Sequence, residues 1–69
     1  MSGPFKLSAR ELECLTLAAE GKSDTTIGKE LGLSANTVGE CMEQAKVKLK
    51  AGTRIEAIVL AVRTGLIRL

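Results

Sequence analysis

The sequence predicts an all-α fold of four helices, about 8–20, 23–31, 34–50 and 53–65, on three observations. Ser8, Ser23, Ser34 and Thr53 each stand just before a run of apolar residues at helical spacing, where an N-cap belongs. Gly21, Gly32 and Gly65 fall where three of those runs stop. The third observation is compositional: 45% of the chain is apolar, yet Phe5 is the only aromatic. The core must therefore be Leu, Ile, Val and Ala, which suits small helices packed closely together. A chain of 69 residues makes one domain, near the lower limit for folding on a hydrophobic core alone. Residues 1–6 are expected as a flexible tail and 7–67 as the domain.

The first helix opens with a capping box. Ser8 caps, Glu11 three residues later closes the box, and Leu7 ahead of it can staple. Leu12, Leu15 and Ala19 form its apolar stripe, widened by Cys14 and Ala18, and Gly21 ends it. Arg10, Glu13 and Glu20 make a solvated face. Ser23 caps the second helix, and Asp24 in its first turn complements the helix dipole. Its internal Gly28 costs about 1 kcal/mol relative to Ala, a cost that close approach of a neighbouring helix would explain. Thr25 and Thr26 lie near exposed backbone N–H groups; they are a phosphate seat or ordinary polar residues of a helix start.

The chain is organised around Ser23 to Leu49. Ile27 and Leu31 are four apart, Gly32 breaks the pattern, Leu33 turns inward and Ser34 opens the next helix. That order of events is a helix-turn-helix. At about 100° per residue, Val38, Met42, Ala45 and Leu49 share the core face of the third helix, with Cys41 at its edge. Asn36, Gly39, Glu40, Glu43, Lys46, Val47 and Lys50 lie on the opposite arc. Thr53 and Glu56 form a second capping box. The fourth helix is apolar on two sides. Ile55, Ile58, Val59, Val62 and Leu66 are expected to close the core; Ala57, Leu60, Ala61 and Thr64 are left to meet a second copy of the chain.

Several functions are disfavoured. The chain has no His, no glycine-rich phosphate loop and no nucleophile with a base at a recognisable spacing, so an enzyme is not expected. Cys14 and Cys41 cannot supply the about four ligands of a structural zinc, so no metal or cofactor is expected; they read as reduced cysteines of a cytoplasmic protein. No stretch is long and apolar enough for a membrane span or a secretory signal. Phe5 alone provides no stacking platform for single-stranded RNA. Net charge is +2, from 10 basic and 8 acidic residues, which is mild for a nucleic-acid binder.

The succession of motifs resembles the LuxR-type helix-turn-helix domain of bacterial transcription regulators. It is carried by LSARELECL at 7–15, Gly21-Lys22-Ser23, Ile27 with Leu31, SANTV at 34–38, KVKL at 46–49, TRIEA at 53–57 and AVRTGLI at 61–67. Region 4 of bacterial sigma factors shares the first three helices in outline, but TRIEA and TGLI favour the LuxR type. The resemblance implies a third helix in the major groove, a two-fold dimer through the fourth helix and a pair between Glu11 and Arg54. It also implies a phosphate contact from Thr37. After Thr37-Val38 such domains commonly carry a basic residue, a variable one and a His, with a further basic or polar reader two residues on. This chain has Gly39, Glu40, Cys41 and Glu43 there.

The expected function is sequence-specific binding of double-stranded DNA by a homodimer. Asn36, Glu40, Glu43, Gln44 and Val47 would face base edges; Thr25, Thr26, Thr37, Lys46, Lys48, Lys50 and Arg54 would contact phosphates. An N-terminal regulatory domain or the transcription machinery would be the further partner. The alternative keeps the fold but makes the acidic third helix a protein-interaction surface, or a reader of DNA only with a partner's help. Each outward carboxylate opposes non-specific binding to a duplex bearing one negative charge per ~1.7 Å.

Overall fold

The computed structural model describes residues 6–68; the expected tail, Lys6 apart, lies outside the described residues. Four helices follow one another, α1 Ala9–Ala19, α2 Asp24–Leu31, α3 Ala35–Lys48 and α4 Arg54–Arg63. Each begins on a side-chain oxygen. Ser8 Oγ accepts the Glu11 N–H while the Glu11 carboxylate accepts the Ser8 N–H, and Thr53 with Glu56 repeats that reciprocal arrangement. Ser23 and Ser34 accept from the N–H groups of Thr26 and Thr37. Each cap satisfies a donor with no partner inside its helix.

The helix ends turn through left-handed residues, where glycine is the unstrained choice. Gly21, Gly32 and Gly65 have φ of 91°, 74° and 78°. The end of α3 is different, because Lys50 adopts φ 56° in the same role. Its N–H bonds Val47 O and the Ala51 N–H bonds Lys46 O, both at 3.0 Å. These bonds close the last turn, so α3 stops at Lys48 rather than near residue 50.

Helix α3 is central and packs on α1, α2 and α4. Val38, Met42, Ala45 and Leu49 point from it into a core completed by Cys14, Leu15, Ile27, Ala57, Ala61 and Ile67. Gly28 is buried, and a Cβ on it would collide with the carbonyl of Leu33, whose own N–H bonds Gly28 O at 2.8 Å. The close approach expected there thus comes from the turn of the helix-turn-helix and not from a neighbouring helix.

Helix α4 corrects the expectation for its two faces. Ala57 and Ala61 are fully buried in the domain's own core and cannot form a surface for a second chain. Ile55 and Val59, expected inside, are 73% and 46% exposed. The small alanines let the helix backbone approach α1 and α3 closely, and Ile58, Val62 and Leu66 fill the margins of that contact. Thr64 is also exposed, its hydroxyl donating back to Leu60 O at 2.8 Å.

The Glu11–Arg54 pair is corrected as well. Glu11, only 4% exposed, accepts from Lys48 Nζ at 2.9 Å, joining α1 to α3. Arg54 instead forks onto Asp24 at 2.7 and 3.1 Å, joining the start of α4 to the start of α2. The two helices do not otherwise pack on each other. Burial alone would raise the Glu11 carboxyl; hydrogen bonds from Lys48 and Ser8 and the Lys48 charge outweigh it and hold it below its ordinary value.

Candidate nucleic-acid interface

With one face of α3 buried, its periodicity dictates what the other presents. Asn36, Glu40, Glu43, Gln44 and Val47 are all exposed, and Val47 is 68% so. Asn36, Gly39, Glu40, Glu43 and Gln44 line one shallow depression. Asn36, Glu40 and Gln44 are four apart and climb the helix in one row. Gly39 flanks the row on the α2 side, where a Cβ would meet Asp24 Oδ2 at an ordinary 3.7 Å.

The cations around this face are mostly engaged. Lys46 Nζ lies 2.9 Å from Glu43 Oε2 one turn back, Lys48 is held by Glu11, and Arg54 by Asp24. The Asp24 hydrogen bonds raise the Arg54 guanidinium above its ordinary value, and the Glu43 charge adds to the shift. Lys50 alone of these cations has no carboxylate partner among the described residues, and it is exposed. Glu40 likewise meets no cation and no hydrogen-bond donor among the described residues.

Thr25 and Thr26 are exposed in the first turn of α2, and Thr37 is half-buried in that of α3. The capping serines donate to the Thr26 and Thr37 hydroxyl oxygens, at 3.1 and 2.9 Å. Each threonine keeps its own proton for an incoming acceptor. Both cysteines are free. Burial first, and then the neighbouring Cys41, push the Cys14 thiol up to about 11, so it stays protonated at neutral pH. Among the described residues no group of three His, Cys, Asp or Glu is placed to hold a metal.

A second surface lies on α4. Ile55, Val59 and Leu60 on α4 line a shallow groove with Lys50, Ala51, Glu56 and Arg63. Sequence reasoning missed Ile55 and Val59 as surface residues, although the i, i+4 alanine pair at 57 and 61 marks a face for close helix approach. It also missed Asp24 as the partner of Arg54, having assigned it only to the helix dipole.

The family model GerE, "Bacterial regulatory proteins, luxR family", matches residues 6–61. The chain belongs to that family. The luxR-family domain is 44% identical over 61 residues to the transcriptional activator protein LuxR of Aliivibrio fischeri, covering 88% of this chain and 24% of LuxR. It is 42% identical over 60 residues to the HTH-type transcriptional activator RamA of Corynebacterium glutamicum, covering 87% of this chain and 21% of RamA. The chain thus spans under a quarter of the length of these relatives. In the structure of the transcription factor GerE the same fold recurs with a TM-score of 0.84 and 30% identity, over 88% of this chain and 91% of that one. Membership places the domain in transcription regulation, as a helix-turn-helix of the DNA-binding class; the family is one of regulators and not of enzymes. No helix among the described residues is long and apolar enough to cross a membrane.

Proposed function

We propose that this luxR-family domain binds double-stranded DNA sequence-specifically, as a homodimer, within a bacterial transcription regulator in the cytoplasm. The observation that carries this reading is α3: one face is buried in the core, and the other presents Asn36, Glu40, Glu43, Gln44 and Val47 outward. A major groove about 12 Å wide admits such a helix. Phosphates would be held by Lys50 and by the hydroxyls of Thr25, Thr26 and Thr37. Lys46, Lys48 and Arg54 would reach them only by sharing their carboxylate partners. The dimer would form through Ile55 and Val59, which the domain's own core leaves exposed, with the half-buried Leu60 beside them. A regulatory domain or the transcription machinery is the further partner in this reading.

The test is selection from a randomised duplex library at low salt, followed by sequencing of the retained pool. Enrichment of a two-fold symmetric motif is the expected result. Retention without enrichment would leave only backbone binding, and no retention would overturn the proposal.

One observation favours a second reading, in which α3 docks a protein or reads DNA only with a partner. Three of the four cations near the face are tied to carboxylates, and Glu40 projects with no compensating charge. Glu40→Lys with Glu43→Lys separates the two. Under the second reading the double reversal creates duplex binding where the wild type has none; under the first it scrambles an existing preference.

A further inference from the structure

We propose that Glu40 is a specificity-determining residue that requires a cytosine at one base pair of each half-site, accepting a hydrogen bond from its N4 amino group. The inference rests on the DNA-binding reading and deepens it.

The two outward carboxylates of α3 are not equivalent. Glu43 is already committed, its Oε2 2.9 Å from Lys46 Nζ and its charge felt by Arg54. Glu40 stands near the outward pole of the helix with no cation and no donor among the described residues. On the α2 flank it adjoins Gly39, which has no side chain to contest the carboxylate or to keep a base edge away, and Glu43, which is turned to Lys46. Above and below it in the same row are the amides of Asn36 and Gln44.

A carboxylate can only accept, so it selects for a donor. In the major groove guanine presents O6 and N7 and thymine presents O4, all acceptors that repel it. Adenine offers the N6 amino group, but beside the N7 lone pair. Cytosine offers the N4 amino group beside an apolar C5–H edge, and is the one base whose edge gives Glu40 a donor without an adjoining acceptor of its own. The neighbouring phosphates make the choice sharper. An unpaired carboxylate lowers affinity for every duplex, and only a site that returns a hydrogen bond to it offsets that loss. Glu40 thus weakens non-specific binding and specifies one base pair through the same two oxygens.

The test compares wild type, Glu40→Gln and Glu40→Ala in the duplex selection, followed by titration of the enriched duplex and its single base-pair replacements. Circular dichroism checks folding, which an exposed side chain without partners should not disturb. The wild-type motif is expected to contain one cytosine per half-site whose replacement weakens binding about 5- to 150-fold. Glu40→Gln, which both donates and accepts, should move the preference at that pair to adenine. Glu40→Ala should level it while binding non-specific duplex more tightly. A motif that stays the same in all three proteins, or a Glu40-dependent pair that is not C·G in the wild type, overturns the role of Glu40 and leaves DNA reading intact. Failure of the wild type to retain any duplex overturns DNA reading, and this proposal with it.

Discussion

Gly28 and Gly39 are both glycines inside helices, and helix propensity alone gives them the same penalty. Their surroundings give them opposite responses to an added methyl group. At Gly28 the methyl would meet the Leu33 carbonyl, a backbone atom fixed by its own turn. Gly28→Ala should therefore destabilise the domain, an overpacking strain of about 1–3 kcal/mol exceeding the gain in helix propensity. At Gly39 the nearest atom is Asp24 Oδ2 at 3.7 Å, an ordinary contact. Gly39→Ala should stabilise by about 0.5–1 kcal/mol. Urea denaturation of the two variants checks both signs, and equal signs would refute this reading of the turn. The penalty at 28 was legible from the residue alone. Its cause was not, because the colliding atom belongs to a residue five positions on, brought back by the left-handed turn at Gly32. The outward residues of α3 were legible from periodicity; that Glu43 is occupied and Glu40 is not depends on rotamers that periodicity does not reach.

The capped helix starts were the most legible part of the fold, since a Ser or Thr and the N–H it accepts are at most three residues apart. The ties between helices were not. Glu11 serves its own capping box and also binds Lys48, 37 residues away, so α1 and the end of α3 are locked through one carboxylate. Because the folded state holds that carboxyl below its ordinary value, the ionised form contributes stability that is fully present above the ordinary value of 4.5. It is lost as pH falls through the lowered value. Glu11→Gln should cost about 1 kcal/mol at pH 7, since the exposed side of Lys48 screens the pair. The gap between wild type and variant should close on the acid side of 4.5. Urea denaturation at neutral pH and near pH 3 measures it; a gap that is constant across that range would contradict the linkage.

The proposed assembly turns on α4, where the sequence made two apolar faces visible but not their assignment. Size suggested that Ile55 and Val59 go inward and that Ala57 and Ala61 face out. The fold does the reverse, because α4 must approach a core already filled by Leu15, Met42 and Leu49, and alanine is the side chain that fits. The dimer proposal moves with that correction, and the two faces can be separated by mutation. Ile55→Asp and Val59→Asp remove side chains that the single domain leaves exposed, Ile55 more than Val59, so its unfolding free energy should change by less than about 1 kcal/mol. Ile55 buries apolar surface worth about 1.5–3 kcal/mol per protomer if α4 pairs on itself, the half-covered Val59 contributes less, and two-fold symmetry counts each loss twice. The dimer should therefore dissociate at least ~100-fold more readily in Ile55→Asp, and by a smaller factor in Val59→Asp. Binding to a two-fold symmetric duplex should fall with it, while binding to a single half-site persists. Ala61→Leu is the converse: it overpacks the core and should lower stability by about 1–3 kcal/mol without acting on the outer face. Sedimentation equilibrium, run beside urea unfolding, distinguishes the outcomes. An Ile55→Asp protein that still dimerises as the wild type does would remove α4's outer face from the assembly.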